Sequence, residues 1–195
     1  MQQTSDGRFR VLSGRSDDEW LLLDVESAEP TYVPTASAPD LAVGNRIEAS
    51  LRWADGDPSV DDYSMLSPTS FQFARTDEAV FQAAQECFEA ARSAGEAMNS
   101  RVTYSTDNEP NGVVYTFAEQ SGQRDLFTEF RDGVKPLDPL VARAAEDATP
   151  PFSVWILDPR EPFVLVYIVL DPDGILEETM RDTYKNRGSQ PTSPD

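Results

Sequence analysis

The chain has no histidine, a single cysteine, only two lysines, and no apolar stretch of membrane-spanning length. Without histidine there is no imidazole base, no Ser-His-Asp triad and no histidine-ligated metal. The lone thiol, Cys87, excludes an intramolecular disulfide, a zinc ribbon or a thiol pair, and fits a reducing interior. The longest apolar run, Phe163 to Leu170, falls far short of the roughly 20 residues that cross a bilayer. The opening residues show no basic segment leading into an apolar one, so no signal peptide is expected. The phosphate-binding loop, the dinucleotide fingerprint and the nucleophile elbow are all missing. These absences point to a soluble cytoplasmic protein with no cofactor, no metal site and no membrane partner. Catalysis, if any, would have to rest on carboxylates or arginines, and the expectation leans against an enzyme.

What is abundant is negative charge. Acidic residues outnumber basic ones 35 to 16, giving a net charge of −19 over 195 residues. Such an imbalance repels itself in ordinary buffer. At about 1 M salt the Debye length shrinks to about 3 Å and the repulsion largely vanishes. Solvated carboxylates with few lysine stems therefore predict a salt-adapted, halophilic protein. Nucleic acid is a disfavoured partner in such a setting. About four phosphate contacts would lose roughly four orders of magnitude in affinity between about 0.2 and 3 M salt. Hydrophobic content of 39% with 10% aromatics is nonetheless that of a folded chain with a real core.

Two patterns divide the sequence. Up to residue 75 it reads as short strands parted by Gly, Pro and Asp turns. Phe9 and Val11 alternate with Arg8 and Arg10, Trp20 to Val25 is an apolar run, and Tyr32-Val33 lies between prolines. Ile47, Ala49, Leu51 and Trp53 alternate with Glu48, Ser50 and Arg52, and Phe71 and Phe73 close the series. This predicts a small β-barrel-like unit over 1–75, with Asp55-Gly56-Asp57 as a hairpin turn. From Thr76 the period becomes helical, with Thr76 as the expected N-cap and an apolar stripe from Val80 to Met98 that includes Cys87. Two hairpins follow, Val102–Phe117 and Phe152–Leu170. Short helices are expected near 124–131 and 139–146, and a last one from Pro172 to Tyr184, capped by Asp171. The second unit, 76–187, is thus an antiparallel sheet with packed helices, and a disordered tail is expected over 188–195. The fold class is α+β. Matches at an offset of 52, such as Val102 with Val154 and Val114-Tyr115 with Val166-Tyr167, raise an ancestral duplication of the hairpins.

Candidate binding residues come from the first unit. Arg8, Arg10, Arg46 and Arg52 occupy alternate positions of two strands and can share an outer face, as a binding surface or as partners of neighbouring carboxylates. Gly44-Asn45-Arg46-Ile47 is similar to the strand entry of oligonucleotide-binding barrels. Asp55-Gly56-Asp57 with Asp61-Asp62, and Asp171 to Glu178, could offer oxygen ligands to a cation, but turn and cap chemistry explains both more simply. Trp20, Trp53 and Trp155 sit within apolar patterns and are expected to pack in cores.

Gly7 to Leu12, Val43 to Ile47 and Phe152 to Tyr184 together resemble a haloarchaeal protein family of unknown function. The resemblance implies a salt-adapted cytoplasmic protein and assigns no catalytic residue or ligand. The leading expectation is a protein-interaction or adaptor module. A nucleic-acid-associated barrel protein is the alternative and a carboxylate-based enzyme the next. Oligomeric state is left open.

Overall fold

The computed structural model describes residues 3–119 and 125–186, so the expected tail over 188–195 lies outside the described residues. The chain divides into two compact units. Of the described residues, 3–71 with 128–151 form the first, and 72–119 and 125–127 with 152–186 form the second. Relative to the boundary at 75/76 expected from sequence, segment 128–151 joins the N-terminal unit.

The first unit holds β1 (Gln3–Ser13), β2 (Glu19–Asp24), β3 (Pro30–Pro34), β4 (Arg46–Ala54) and β5 (Asp57–Ser67) in one antiparallel sheet, ordered β3-β2-β1-β4-β5. The core is the odd-numbered face of β1 and β4. Phe9, Val11, Ile47, Ala49 and Leu51 pack there with Leu22, Val33 and Val60, and Trp20 and Trp53 lie against them half-buried. The edge strands β3 and β5 approach one another, but no ladder joins them, so the sheet is open where a barrel was expected. Pro30 and Pro34 bound the five residues of β3 and have no N–H to donate, which blunts that edge. Asp55 (φ 53°) and Gly56 (φ 86°) make the two-residue β4–β5 turn, the left-handed pair that suits a tight hairpin. Two short helices, α2 (Leu126–Arg131) and α3 (Asp138–Ala144), follow in the chain, and α3 belongs to this unit.

The second unit is a sheet ordered β6-β9-β10-β8-β7, made of β6 (Ser70–Thr76), β7 (Met98–Tyr104), β8 (Pro110–Ala118), β9 (Ser153–Pro159) and β10 (Phe163–Val169). All seven residues of β10 are buried, as the unbroken apolar run predicts for a central strand. Phe163, Leu165, Tyr167 and Val169 face a core shared with Trp155, with Val80, Ala84 and Cys87 around α1 (Gln82–Ser93), and with Met180 after the start of α4 (Ile175–Met180). Phe81 stacks on Tyr167 at 4.7 Å and Phe88 on Phe163 at 4.5 Å. Burial pushes the Cys87 thiol up, and Thr116 Oγ1 donates to its sulfur at 3.6 Å, so Cys87 behaves as a core residue.

Two expected helix starts are displaced. Helix α1 begins at Gln82, not after Thr76. Val80 is buried and Phe81 remains extended, because both are spent on the sheet's core before the chain turns helical. Thr76 instead accepts the Glu78 N–H at 3.0 Å in a local turn. Likewise α4 starts at Ile175, and Asp171 organises a turn by accepting from the Asp173 N–H at 3.0 Å; a π-type turn, Arg181–Asn186, continues the helix.

The two hairpins meet symmetrically. Val114 pairs with Tyr167 and Tyr115 with Val166, so the residues matched at offset 52 exchange partners about a local two-fold axis between β8 and β10. The outer strands break the equivalence. Val102 lies opposite Val113, whereas Val154 lies opposite Ile168, three residues out of step.

Candidate functional site

Arginine side chains in β1 and β4 share one face because the strands are antiparallel and both alternate. Thr4 faces Arg52, Arg8 faces Glu48 and Arg10 faces Arg46, which places all four candidate arginines opposite the apolar core. They differ in what neutralises them. Arg8 Nε lies 3.6 Å from Glu48, with both side chains more than half exposed, and Arg52 pairs with Asp61 across the β4–β5 hairpin. Exposed pairs of this kind contribute about 0–1 kcal/mol.

Arg10 is different. Its side chain is 3% exposed, Nη2 donates to Asp138 Oδ1 at 2.8 Å and Nη1 to the Gly44 carbonyl at 2.9 Å, and the guanidinium lies over Phe71 at 5.3 Å. Gly44 can serve because its φ of 102° suits glycine, and an added Cβ would stand 2.3 Å from the Phe71 nitrogen. Asn45 ties the same loop by accepting from the Ala42 N–H at 2.8 Å and donating to the Thr69 carbonyl at 3.3 Å. The Gly44-Asn45 strand entry is thereby explained by packing. Arg46 is the exception in the row. Its Nε is buried without a hydrogen-bond partner, and among the described residues no carboxylate lies within ion-pair distance of it.

A second cluster, in the other unit, was not anticipated from sequence. Arg75 bridges Asp125, at 2.6 Å, and Asp158, beside a cleft of about 570 Å³ that Asp158, Arg160 and Tyr184 help to line. Burial pushes the Asp158 carboxyl up; Arg75 opposes the shift without cancelling it, and Asp125 adds to it. Glu119 is raised too, by burial and then by Asp158 and Asp125. Only the three-dimensional arrangement reveals this cluster, since its members lie up to 83 residues apart. Ionising Asp158 is harder in the folded chain than in the unfolded one. Its contribution to stability therefore falls as pH rises from the ordinary 3.8 through the raised folded value. Asp158→Asn is expected to flatten that slope. Urea unfolding at a series of pH values starting below 3.8 checks this, and parallel wild-type and variant curves would show that Asp158 ionises normally.

The third feature is the free edge of the second sheet. Among the described residues, strand β7 pairs with β8 on one side only. Asn99, Arg101 and Thr103 turn toward the helix side, bonding the Cys87 carbonyl, Glu86 and Tyr167. Met98, Val102 and Tyr104 are 44%, 43% and 58% exposed. From Ala97 to Thr106 there is no carboxylate, although Glu96 precedes and Asp107 and Glu109 follow. Sequence reasoning began this strand at Val102 and put Met98 on the helical stripe, whereas α1 ends at Ser93 and β7 starts at Met98; its position at an edge depends on strand order, which the sequence does not carry. The acidic loops fall to local roles: Asp61 pairs with Arg52, and Asp171 holds its own turn. Trp20 donates to the Ala38 carbonyl, Trp53 to Ser5 and Trp155 to Glu177. Among the described residues no helix is long and apolar enough to cross a membrane, and no three acidic or thiol groups gather as metal ligands would.

Two open sheets, the first antiparallel throughout, with short helices, an arginine row and a bare strand edge define an α+β protein. The chain belongs to a protein family of unknown function, DUF6663, whose model matches residues 1–191. A search among curated proteins gives no match.

Proposed function

We propose that this chain is a salt-adapted protein-interaction module that receives an extended segment of a partner protein along β7. The observation that carries this is the unpaired, carboxylate-free β7 edge in a chain of net charge −19. Unpaired backbone groups on an exposed edge accept an added strand, and the alternate side chains select it. Met98, Val102 and Tyr104 ask for apolar residues at alternate positions of the partner. Exposed Glu96 at one end, with Asp107 and Glu109 at the other, asks for lysine or arginine at both of its ends. A second copy of this chain fits poorly, because antiparallel self-pairing would bring Glu96 toward Asp107 and Glu109.

The test uses a synthetic peptide that alternates valine and threonine between lysine pairs, titrated in molar potassium chloride. Wild type is expected to bind saturably. Val102→Lys with Tyr104→Lys, two exposed positions, is expected to weaken binding about tenfold or more. Equal affinity of the variant, or dimerisation of the wild type through β7 in sedimentation, would overturn the proposed partner.

Nucleic-acid binding has less support, since Arg8, Arg10 and Arg52 already face carboxylates. One observation favours a carboxylate-based enzyme: Asp158 and Glu119 are both raised, Asp158 lining a cleft. The ion pairs of Arg75 account for that cluster structurally, and the interaction reading stands ahead.

A further inference from the structure

A concavity of about 270 Å³ opens beside the arginine row, lined by Arg46, Ser67, Thr69, Val141, Ala142 and Pro150 among others. We propose that it binds a small monocarboxylate, with Arg46 pairing the carboxylate and the α3 side chains holding an apolar body. The charges around it decide the class of ligand. Arg10 is consumed by Asp138, and in the adjoining cleft Arg8 is consumed by Glu48. That leaves Arg46, whose buried Nε lacks an acceptor although it lines both clefts. Planar guanidinium suits a planar carboxylate in a two-pronged contact. With Arg10 and Asp138 cancelling one another, Arg46 and Glu26 remain in the lining, so a phosphate dianion would leave two net negative charges where a monocarboxylate leaves one.

The walls fit the rest of the ligand. Val141, Ala142, Ala145 and the ring of Pro150 are apolar, while Ser67 Oγ and Thr69 Oγ1, 2.9 Å apart, lend hydroxyls near the charged end. At roughly 30 Å³ per water the cavity holds about nine waters, so the ligand is a short-chain acid. Asp138 is a positioning residue here: by gripping Arg10 it fixes α3, which supplies the apolar wall.

Valerate is the probe, with valeramide as its uncharged counterpart, followed by amide chemical shifts in the full chain. Valerate is expected to bind saturably and to move the signals of Thr69, Val141 and Ala142, whereas valeramide leaves them unmoved. Arg46→Gln is expected to weaken binding about tenfold or more, while Arg8→Gln, in the neighbouring cleft, leaves it unchanged. Ala142→Trp sits at an exposed position and obstructs the cavity with Arg46 intact, so it must also abolish binding; it carries the test should Arg46→Gln misfold. Absence of saturation, binding that survives both variants, or tighter binding of inorganic phosphate would overturn the proposal. None of these outcomes depends on β7.

Discussion

Ile168→Asp is expected to leave no cooperative unfolding transition. Ile168 is fully buried in β10, between Val154 of β9 and Val113 of β8, in a strand whose seven residues are all inaccessible. Removing the side chain alone forfeits about 1.5–3 kcal/mol. A carboxylate in its place must either ionise in a low-dielectric interior or fold protonated, and either adds several kcal/mol. Whole domains are stable by only about 5–15 kcal/mol, so the sum consumes most of the margin. Circular dichroism during urea titration is the measurement. A variant that melts like the wild type would remove Ile168 from the sheet centre.

Asp138→Ala is the second large effect. Arg10 stays buried over the Phe71 ring and keeps the Gly44 carbonyl, but loses its counter-charge. Breaking one side of a buried pair costs about 3–5 kcal/mol, because the remaining charge is left uncompensated. Replacing both members with apolar residues of similar size, Arg10→Met with Asp138→Leu, is expected to recover most of the loss. Chemical denaturation of the two single variants and the double variant measures the coupling. Additive losses would mean that the pair contributes no interaction, and the fixing of α3 would need another cause.

Most strands were legible because their burial alternates or runs unbroken. Phe9 and Val11, Ile47 to Trp53, and Phe163 to Val169 announce one-sided or two-sided burial directly. Strand β5 was not legible, since Asp61, Asp62 and Ser64 are exposed and the strand buries only Val60. The arginine row could be read from the alternation of β1 and β4, yet its decisive member could not. Arg10 finds Asp138 across 128 residues of sequence, and nothing local marks which arginine is left without a partner. The Arg75 cluster and the bare edge of β7 share that character. Periodicity reports which way a side chain faces, whereas strand order decides what stands opposite it.

The discontinuity of the first unit has a consequence for how the chain is made. Its sheet is complete in sequence by Ser67, but the segment that supplies Asp138 ends at Pro151. At translation rates of about 5–20 residues per second, residue 151 leaves the peptidyl-transferase centre roughly 4–16 s after residue 71. For most of that interval, until Asp138 is added, the nascent sheet carries the Arg10 charge without its acid, and β7 and β8 of the other unit are synthesised in the meantime. The N-terminal sheet must therefore wait for the middle of the message before its arginine can be buried. A chain cut after residue 75 would be held permanently at that unfinished stage.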